Sequence, residues 1–205
     1  NRYWRFCNEL LAAQLADAKG RMLLQFPDLI EGLDTLEAMR GGENLLMDMI
    51  ERPDWVHDCL RKITAVYFEY YDRLYERMKD ETGGSVFWSW APGRMAKFQC
   101  DCSAMFSPDM FAEFMVPTLD AMTRRVDHCM YHWDGPQAIC HHDHLLGLER
   151  LDMIQWTPGA GRAPADDPSW FPLFHKTIEA GKKVFIRLCG GTDSLRRMKR
   201  EFGHR

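Results

Sequence analysis

The sequence predicts an α/β protein built from parallel βα units, most of a (β/α)8 barrel. Three observations carry this expectation. Short β-branched and aromatic runs alternate with longer segments of helical periodicity. Each strand–helix unit spans roughly 30–40 residues, room for the helical crossover that parallel strands require. Polar, chemistry-bearing side chains gather at the ends of the runs, just before turns, where parallel α/β proteins keep their sites. No Gly-x-Gly-x-x-Gly follows the first strand, so a dinucleotide-binding fold is disfavoured. Roughly five strands at this spacing fall short of a full barrel, which takes about 250 residues. Asn1 opens in mid-pattern and Arg205 follows an unfinished helical pattern. The expectation is one incomplete barrel domain over residues 1–205, with N-terminal strands and the C-terminal end outside it.

The elements follow in order. Residues 3–19 read as an amphipathic helix with Trp4, Leu10, Leu11, Leu15 and Ala18 on one stripe, stopped at Gly20. Residues 21–26 read as a buried strand closed by Pro27. Asp28 and Asp34 flank a short helical stretch that Arg40-Gly41-Gly42 ends. Asp28 stands just past a strand end, a functional position; helix capping is its structural alternative. Residues 43–50 form a short helix, and Pro53 suits the first turn of a long one over 54–79. There Trp55, Val56, Leu60, Ile63, Val66, Tyr67, Tyr70 and Leu74 recur at helical spacing. Residues 85–90 alternate as a strand, 91–94 turn, and 95–101 form a strand ending in polar residues. Ser107 and Pro108 read as N-cap and first helical residue, and Pro117 marks a break or a second helix. A strand then runs into Tyr131-His132-Trp133-Asp134; Gly135-Pro136 breaks it, and a helix reaches Leu146. Residues 151–156 are a strand and 162–169 a Pro-rich flap. Residues 170–180 are helix, 183–188 strand, and Thr192 or Asp193 caps a last helix.

Composition excludes some partners. The formal charge of −4 argues against a nucleic-acid surface. Arg196, Arg197, Lys199, Arg200 and Arg205 read as a solvated helix face. No apolar run approaches the ~20 residues of a membrane span, and no signal peptide is evident. Seven cysteines (Cys7, Cys59, Cys100, Cys102, Cys129, Cys140 and Cys189) lack a paired framework, which suggests reduced thiols in the cytoplasm.

In a barrel the strand ends share one mouth, which would gather Asp28, Gln99, Asp101, His132, Asp134, Trp156 and Cys189. His132 and Asp134 are two apart and point to one side of a strand. They suit a metal, with Cys189 as a softer third ligand. Alternatively Asp134 orients His132 as a general base, or simply hydrogen-bonds a buried imidazole. Asp101 can hold ring N–H groups or an ammonium, or can cap the next helix. Gln99 joins it in orienting substrate, while Trp88 and Trp156 wall the pocket. Cys100 and Cys102 straddle Asp101, point away from it and read as structural. Helical spacing spreads His141, His142, Asp143 and His144 too widely for one ion. His142 and Asp143 are expected to reach the mouth, and His141 and His144 to face solvent.

These residues carry a resemblance. Gly32-Leu33-Asp34 with Arg40-Gly41-Gly42-Glu43, Glu51-Arg52-Pro53, Gln99-Cys100-Asp101, Phe106-Ser107-Pro108-Asp109-Met110-Phe111, Tyr131-His132-Trp133-Asp134-Gly135 and Ile154-Gln155-Trp156 with Pro158-Gly159 together resemble the uroporphyrinogen decarboxylase superfamily, which also contains corrinoid-dependent methyltransferases. The resemblance spans nearly the whole chain and implies a TIM barrel with its site at the C-terminal mouth. In the decarboxylase branch no cofactor is needed, and an Asp, here Asp101, holds the pyrrole N–H groups of a tetrapyrrole. That branch's N-terminal Arg-rich signature and Gly-rich segment have no counterpart here. In the methyltransferase branch, zinc held by His-x-Cys and a later Cys activates a thiol, which takes a methyl group from a corrinoid on a partner protein. His132 matches the His, Asp134 stands in place of the Cys, and Cys189 is the candidate later ligand. The expectation is thus a corrinoid-linked, metal-assisted methyltransferase. The alternatives are tetrapyrrole decarboxylation and a non-catalytic barrel that binds a tetrapyrrole or corrinoid protein.

Overall fold

A computed structural model describes residues 1–203. Helix α1 (Arg2–Ala18) leads through an extended segment to α2 (Gly32–Arg40), α3 (Gly42–Glu51) and the long α4 (Pro53–Met78). A hairpin of β1 (Ser85–Phe87) and β2 (Ser89–Ala91) precedes β3 (Met95–Gln99). A 3-10 turn (Asp101–Met105) then leads to α5 (Pro108–Met110), which runs through a wider turn (Phe111–Met115) into α6 (Val116–Thr123). Next come β4 (His128–Asp134), a 3-10 turn (Pro136–His141), α7 (His142–Leu146), β5 (Met153–Thr157), α8 (Phe171–Glu179), β6 (Lys183–Phe185) and α9 (Gly191–Phe202). Strands β3-β4-β5-β6 pair in sequence order, all parallel, so the α/β expectation holds.

Among the described residues the sheet is open, with β3 and β6 at its edges, and no closed barrel is seen. Closing a sheet takes about eight strands with a matched tilt and stagger, and two of the expected strands are not in this sheet. Residues 85–90 fold back as the hairpin, with Trp88 at its tip. Residues 21–26 stay extended without a ladder: Phe26 N–H donates to Val86 O at 2.8 Å, and the next residue is proline. The outer edge of β3 is satisfied by side chains instead of a strand. Met95 N–H donates to Ser85 Oγ at 2.9 Å, and Gln99 N–H to the Glu31 carboxylate.

Register fixes what each face carries. On one face Phe98 stands beside Tyr131 and Trp133 beside Trp156, all buried. This face takes the helices: Phe98 meets Tyr67 of α4, Trp133 stacks on His142 at 4.4 Å and donates its indole N–H to Ala138 O at 2.9 Å, and Trp156 meets Trp170. Phe26 lies between Tyr71 and Phe87, and the Tyr71 hydroxyl donates to Met95 O at 2.8 Å. The opposite face carries Lys97, Gln99, His132, Asp134, Gln155 and Thr157.

Several local expectations change. Ser107 caps α5 through Met110 N–H with Pro108 next, as expected. Pro117 lies in the first turn of α6, the second helix expected there; the chain is not broken before it, because Val116 N–H reaches back five residues to Phe111 O and the wider turn admits the ring. Neither Thr192 nor Asp193 caps α9. The buried Asp166 carboxylate accepts from Cys189 N–H, Gly190 N–H and Ser194 Oγ, and Arg197 donates to Asp166 O. These bonds anchor the Pro-rich 162–169 stretch, which is no free flap. His141 and His142 are core residues rather than a solvated or mouth-facing pair. His141 stacks on Phe111 at 4.4 Å and bonds Ser103 O; His142 bonds Thr177 Oγ1 at 2.9 Å. Burial pushes both imidazoles down, His142 to about 4, so they pack as neutral rings. Asp143 pairs with Lys176 at 2.5 Å, outside the site. Of the basic cluster, Arg196, Arg197, Lys199 and Arg200 lie on α9, and Arg205 is outside the described residues.

Two glycines are required by geometry. Gly93 has φ +73°, and a Cβ there would sit 2.3 Å from Asp127 Oδ2, which accepts Arg94 N–H. Gly135, at φ +80°, turns the chain out of β4 while its N–H continues the pairing to Thr157 O at 2.9 Å.

Asp48 joins three helices: Arg40 of α2 and Arg52 at the start of α4 both bond its carboxylate on α3. Those hydrogen bonds lower its pKa to about 2. A depressed carboxylate stabilises the fold above its unfolded pKa, about 3.9, and the gain is lost as pH falls through the folded value. In urea unfolding, Asp48→Asn is therefore less stable than the parent at pH 6, and the gap closes between about pH 4 and pH 2.

Candidate metal centre at the sheet edge

The polar face ends at the C-terminal edge of β3, β4 and β5. Parallel register sets Gln99, His132 and Gln155 side by side, and Asp134 beside Thr157. Among the described residues, ligand atoms of Asp101, His132 and Asp134 lie within 4.8 Å of one another. His132 Nε2 stands 3.9 Å from Asp101 Oδ1. An ion with ligands at about 2.1 Å holds them about 3.4 Å apart in a tetrahedron, and Asp101, half exposed, has the freedom to close the difference.

The tautomer of His132 follows from its neighbour. Gln155 Nε2 donates to Trp156 O at 3.0 Å and to Thr157 Oγ1 at 2.9 Å. A carbonyl only accepts, so the amide nitrogen faces Trp156 and the amide oxygen faces His132. That oxygen meets His132 Nδ1, which therefore carries the proton. In the neutral ring Nε2 is then the free nitrogen, 3.9 Å from Asp101 Oδ1. An imidazole held at Nδ1–H with a bare Nε2 is the arrangement of a metal-ligating histidine. Asp134 Oδ1 is buried without a hydrogen-bond partner, and such an atom is costly unless something positive meets it. The donor set and this orphaned oxygen both fit a divalent ion.

A buried lysine lies alongside. Lys97, fully buried, donates to Gln99 Oε1 and pairs with Asp28 Oδ1 at 2.7 Å. Gln99 Nε2 in turn donates to Asp34 Oδ2 and Asp101 Oδ2, each at 3.0 Å. Glu31 is also fully buried. Burial drives its pKa well above the usual range, and Lys97 and the Gln99 N–H oppose that rise. Asp101 is raised as well, by burial first and then by Asp34; His132 opposes this, while Asp134 adds to it. The edge therefore holds Asp28, Glu31, Asp34, Asp101 and Asp134 against one lysine.

Trp88 covers this group. Its ring lies 5.1 Å from the Lys97 ammonium and meets the His132 ring edge-on at 5.1 Å. Its backbone has φ +61°, the only positive-φ residue other than glycine among those described. A bulky residue there is strained; the hairpin tip holds it so that the indole lies over the cluster.

Of the residues expected from sequence, the structure brings together Asp28, Trp88, Gln99, Asp101, His132 and Asp134. It does not bring Trp156 or Cys189 to them. Trp156 follows Gln155 by one residue, so the pleat turns it to the helix-packed face, where it is 1% exposed against Trp133 and Trp170. It cannot wall the pocket. Cys189 lies beyond the end of β6, its backbone bound to Asp166 and its thiol exposed. Asp101 is the third member of the group with His132 and Asp134 instead. Sequence reasoning missed Lys97, Glu31, Asp34 and Gln155. Lys97 had a signal, because Lys97, Gln99 and Asp101 repeat at strand period; Gln155 could be found only once the register with His132 was known.

Comparisons with protein-family models, with curated proteins and with solved structures find no match to this chain.

Trp88 also provides a direct test of the strained tip. Trp88→Ala and Trp88→Gly both delete the indole, but only alanine keeps the backbone penalty. Trp88→Gly should be the more stable of the two by about 1 kcal/mol in chemical denaturation. Equal stability would mean that the positive φ is not retained.

Proposed function

We propose that the chain is a metal-assisted enzyme domain of the uroporphyrinogen decarboxylase type, closest in chemistry to the corrinoid-linked methyltransferases. In this reading β3–β6 are consecutive strands of a (β/α)8 barrel with its site at the C-terminal mouth. The observation that carries it is the convergence of Asp101, His132 and Asp134, with His132 held through Nδ1 and Asp134 Oδ1 unpartnered. Three protein ligands with an open fourth position are the pattern of a catalytic site rather than a closed structural one. The histidine and two carboxylates form a harder donor set than His-x-Cys with a later Cys. Asp101, His132 and Asp134 would hold a divalent ion, zinc first among candidates, which would supply Lewis acidity to a bound thiol or water.

The chain's own residues do the rest. Gln155 holds the His132 proton on Nδ1. Gln99 and Lys97 hold Asp101 and Asp28 in place, and Asp101 faces the cleft through which substrate enters. Trp88 screens His132 from water. The substrate is a small molecule, and a corrinoid-carrying protein is the partner that methyl transfer requires. Seven free cysteines fit a reducing, cytoplasmic setting. A second reading has one observation in its favour. Asp34 and Asp101 line one cleft, so the same edge without a metal would hold the N–H groups of a tetrapyrrole during decarboxylation.

Metal analysis of chelator-free protein separates the two. The first reading expects near-stoichiometric divalent metal, lost in His132→Ala and Asp134→Asn. Gln155→Leu should weaken affinity about 10–100-fold, because it frees the imidazole to rotate and change tautomer. Absence of metal from the parent, or unchanged retention in His132→Ala, rejects the metal reading. Tetrapyrrole binding abolished by Asp101→Asn in metal-free protein would then establish the second.

A further inference from the structure

We propose that Cys100, Cys102 and Asp34 form a second metal site, selective for a thiophilic divalent ion such as zinc or cadmium. This site uses none of the three ligands proposed above and stands whether or not that reading holds.

Cys100 ends the polar run after β3, and Cys102 lies in the 3-10 turn that follows. In a straight strand both thiols would point away from Asp101 but stay apart, about 7 Å from Cα to Cα. The turn draws them together, so that Cys100 Sγ and Cys102 Sγ are 3.7 Å apart. Two thiolates on one tetrahedral ion, each about 2.3 Å from it, are held about 3.8 Å apart. The pair thus already has the spacing of two adjacent ligands. A ligand oxygen of Asp34 completes the group, with all three atoms within 4.8 Å of one another.

The carboxylate is firmly held. Asp34 Oδ1 accepts Cys102 N–H at 2.9 Å, while Oδ2 accepts Asp101 N–H at 2.9 Å and the Gln99 side-chain amide. These bonds fix its position and leave Oδ1 a lone pair for another partner. There is also an entry path. Asp34, Cys102, Asp101 and Glu37 line a solvent-reaching cleft of about 420 Å³. A fourth ligand, water or Glu37, can approach from that side. Cys100 and Cys102 are 3% and 8% exposed, so an ion would be shielded on the protein side and open only to the cleft. Two thiolates and a carboxylate favour a soft d10 ion over magnesium or calcium.

Binding displaces two thiol protons to solvent, and no bond to carbon changes.

The test uses the whole chain, freed of metal under reducing conditions and titrated with Cd2+ while thiolate-to-cadmium charge-transfer absorption is followed in the ultraviolet. The band should saturate at one equivalent and persist in His132→Ala. In Cys100→Ser or Cys102→Ser it should be lost or its affinity should fall at least about 100-fold. Excess Mg2+ should not remove it. If the serine variants do not fold, alkylation of the parent with and without Cd2+ answers instead: mass mapping should find Cys100 and Cys102 protected. No band in the parent, a band that survives both serine substitutions, or protection of a different cysteine pair would overturn the proposal.

Discussion

The parallel register of β3, β4 and β5 is the constraint on which the rest of the molecule depends. It sets Gln99, His132 and Gln155 in one row and brings Asp134 to the edge beside Thr157. A slip of one residue in β4 would turn His132 and Asp134 under the helices and put Trp133 in the cleft. That slip is opposed from the other face, where Trp133 and Trp156 are buried between the sheet, His142 and Trp170. The apolar packing of one face thereby holds the chemistry of the other.

Charge is the second constraint. A continuous relay runs along the edge: Asp28 to Lys97, Lys97 to Gln99, Gln99 to Asp34 and Asp101, and across a gap to His132 and Gln155. The gap lies between Asp101 and His132; Asp134 is the third group at it, and its Oδ1 is buried with no partner. Lys97 is committed to Asp28 and Gln99 on the far side of the relay. Carboxylates gathered round such a gap repel one another unless a cation joins them, and this need is the physical basis of the proposed metal centre.

Much of this was legible in the sequence because strand alternation and turn residues report directly on geometry. Ser107-Pro108 opened a helix as written, and the His132-x-Asp134 spacing correctly put both side chains on one face. The same period rule, carried one residue further, would have placed Trp156 beneath the helices with Trp133. Cys189 could not be judged, because its place depends on how far β6 runs and on Asp166, far away in sequence. Gln155 and Glu31 act through contacts across strands and loops, 23 and 68 residues from their partners His132 and Gln99. The histidine tract misled for another reason. Two residues of a polar-looking run, His141 and His142, are in fact buried, because a neutral imidazole stacks on Phe111 or Trp133 like any flat ring. The expectation of an incomplete (β/α)8 barrel drew on strand spacing and on the resemblance; the open four-strand parallel sheet bears out its α/β part, and spacing does not show how a sheet continues.

The most direct test of the central claim is anomalous diffraction from crystals of the chain grown with zinc, recorded above and below the zinc absorption edge. The account predicts an anomalous peak at the strand edge, about 2.0–2.2 Å from His132 Nε2 and from a carboxylate oxygen of both Asp101 and Asp134, with His132 Nδ1 still bound to Gln155. A density-free edge, or zinc bound through His132 Nδ1 with Gln155 displaced, would contradict it.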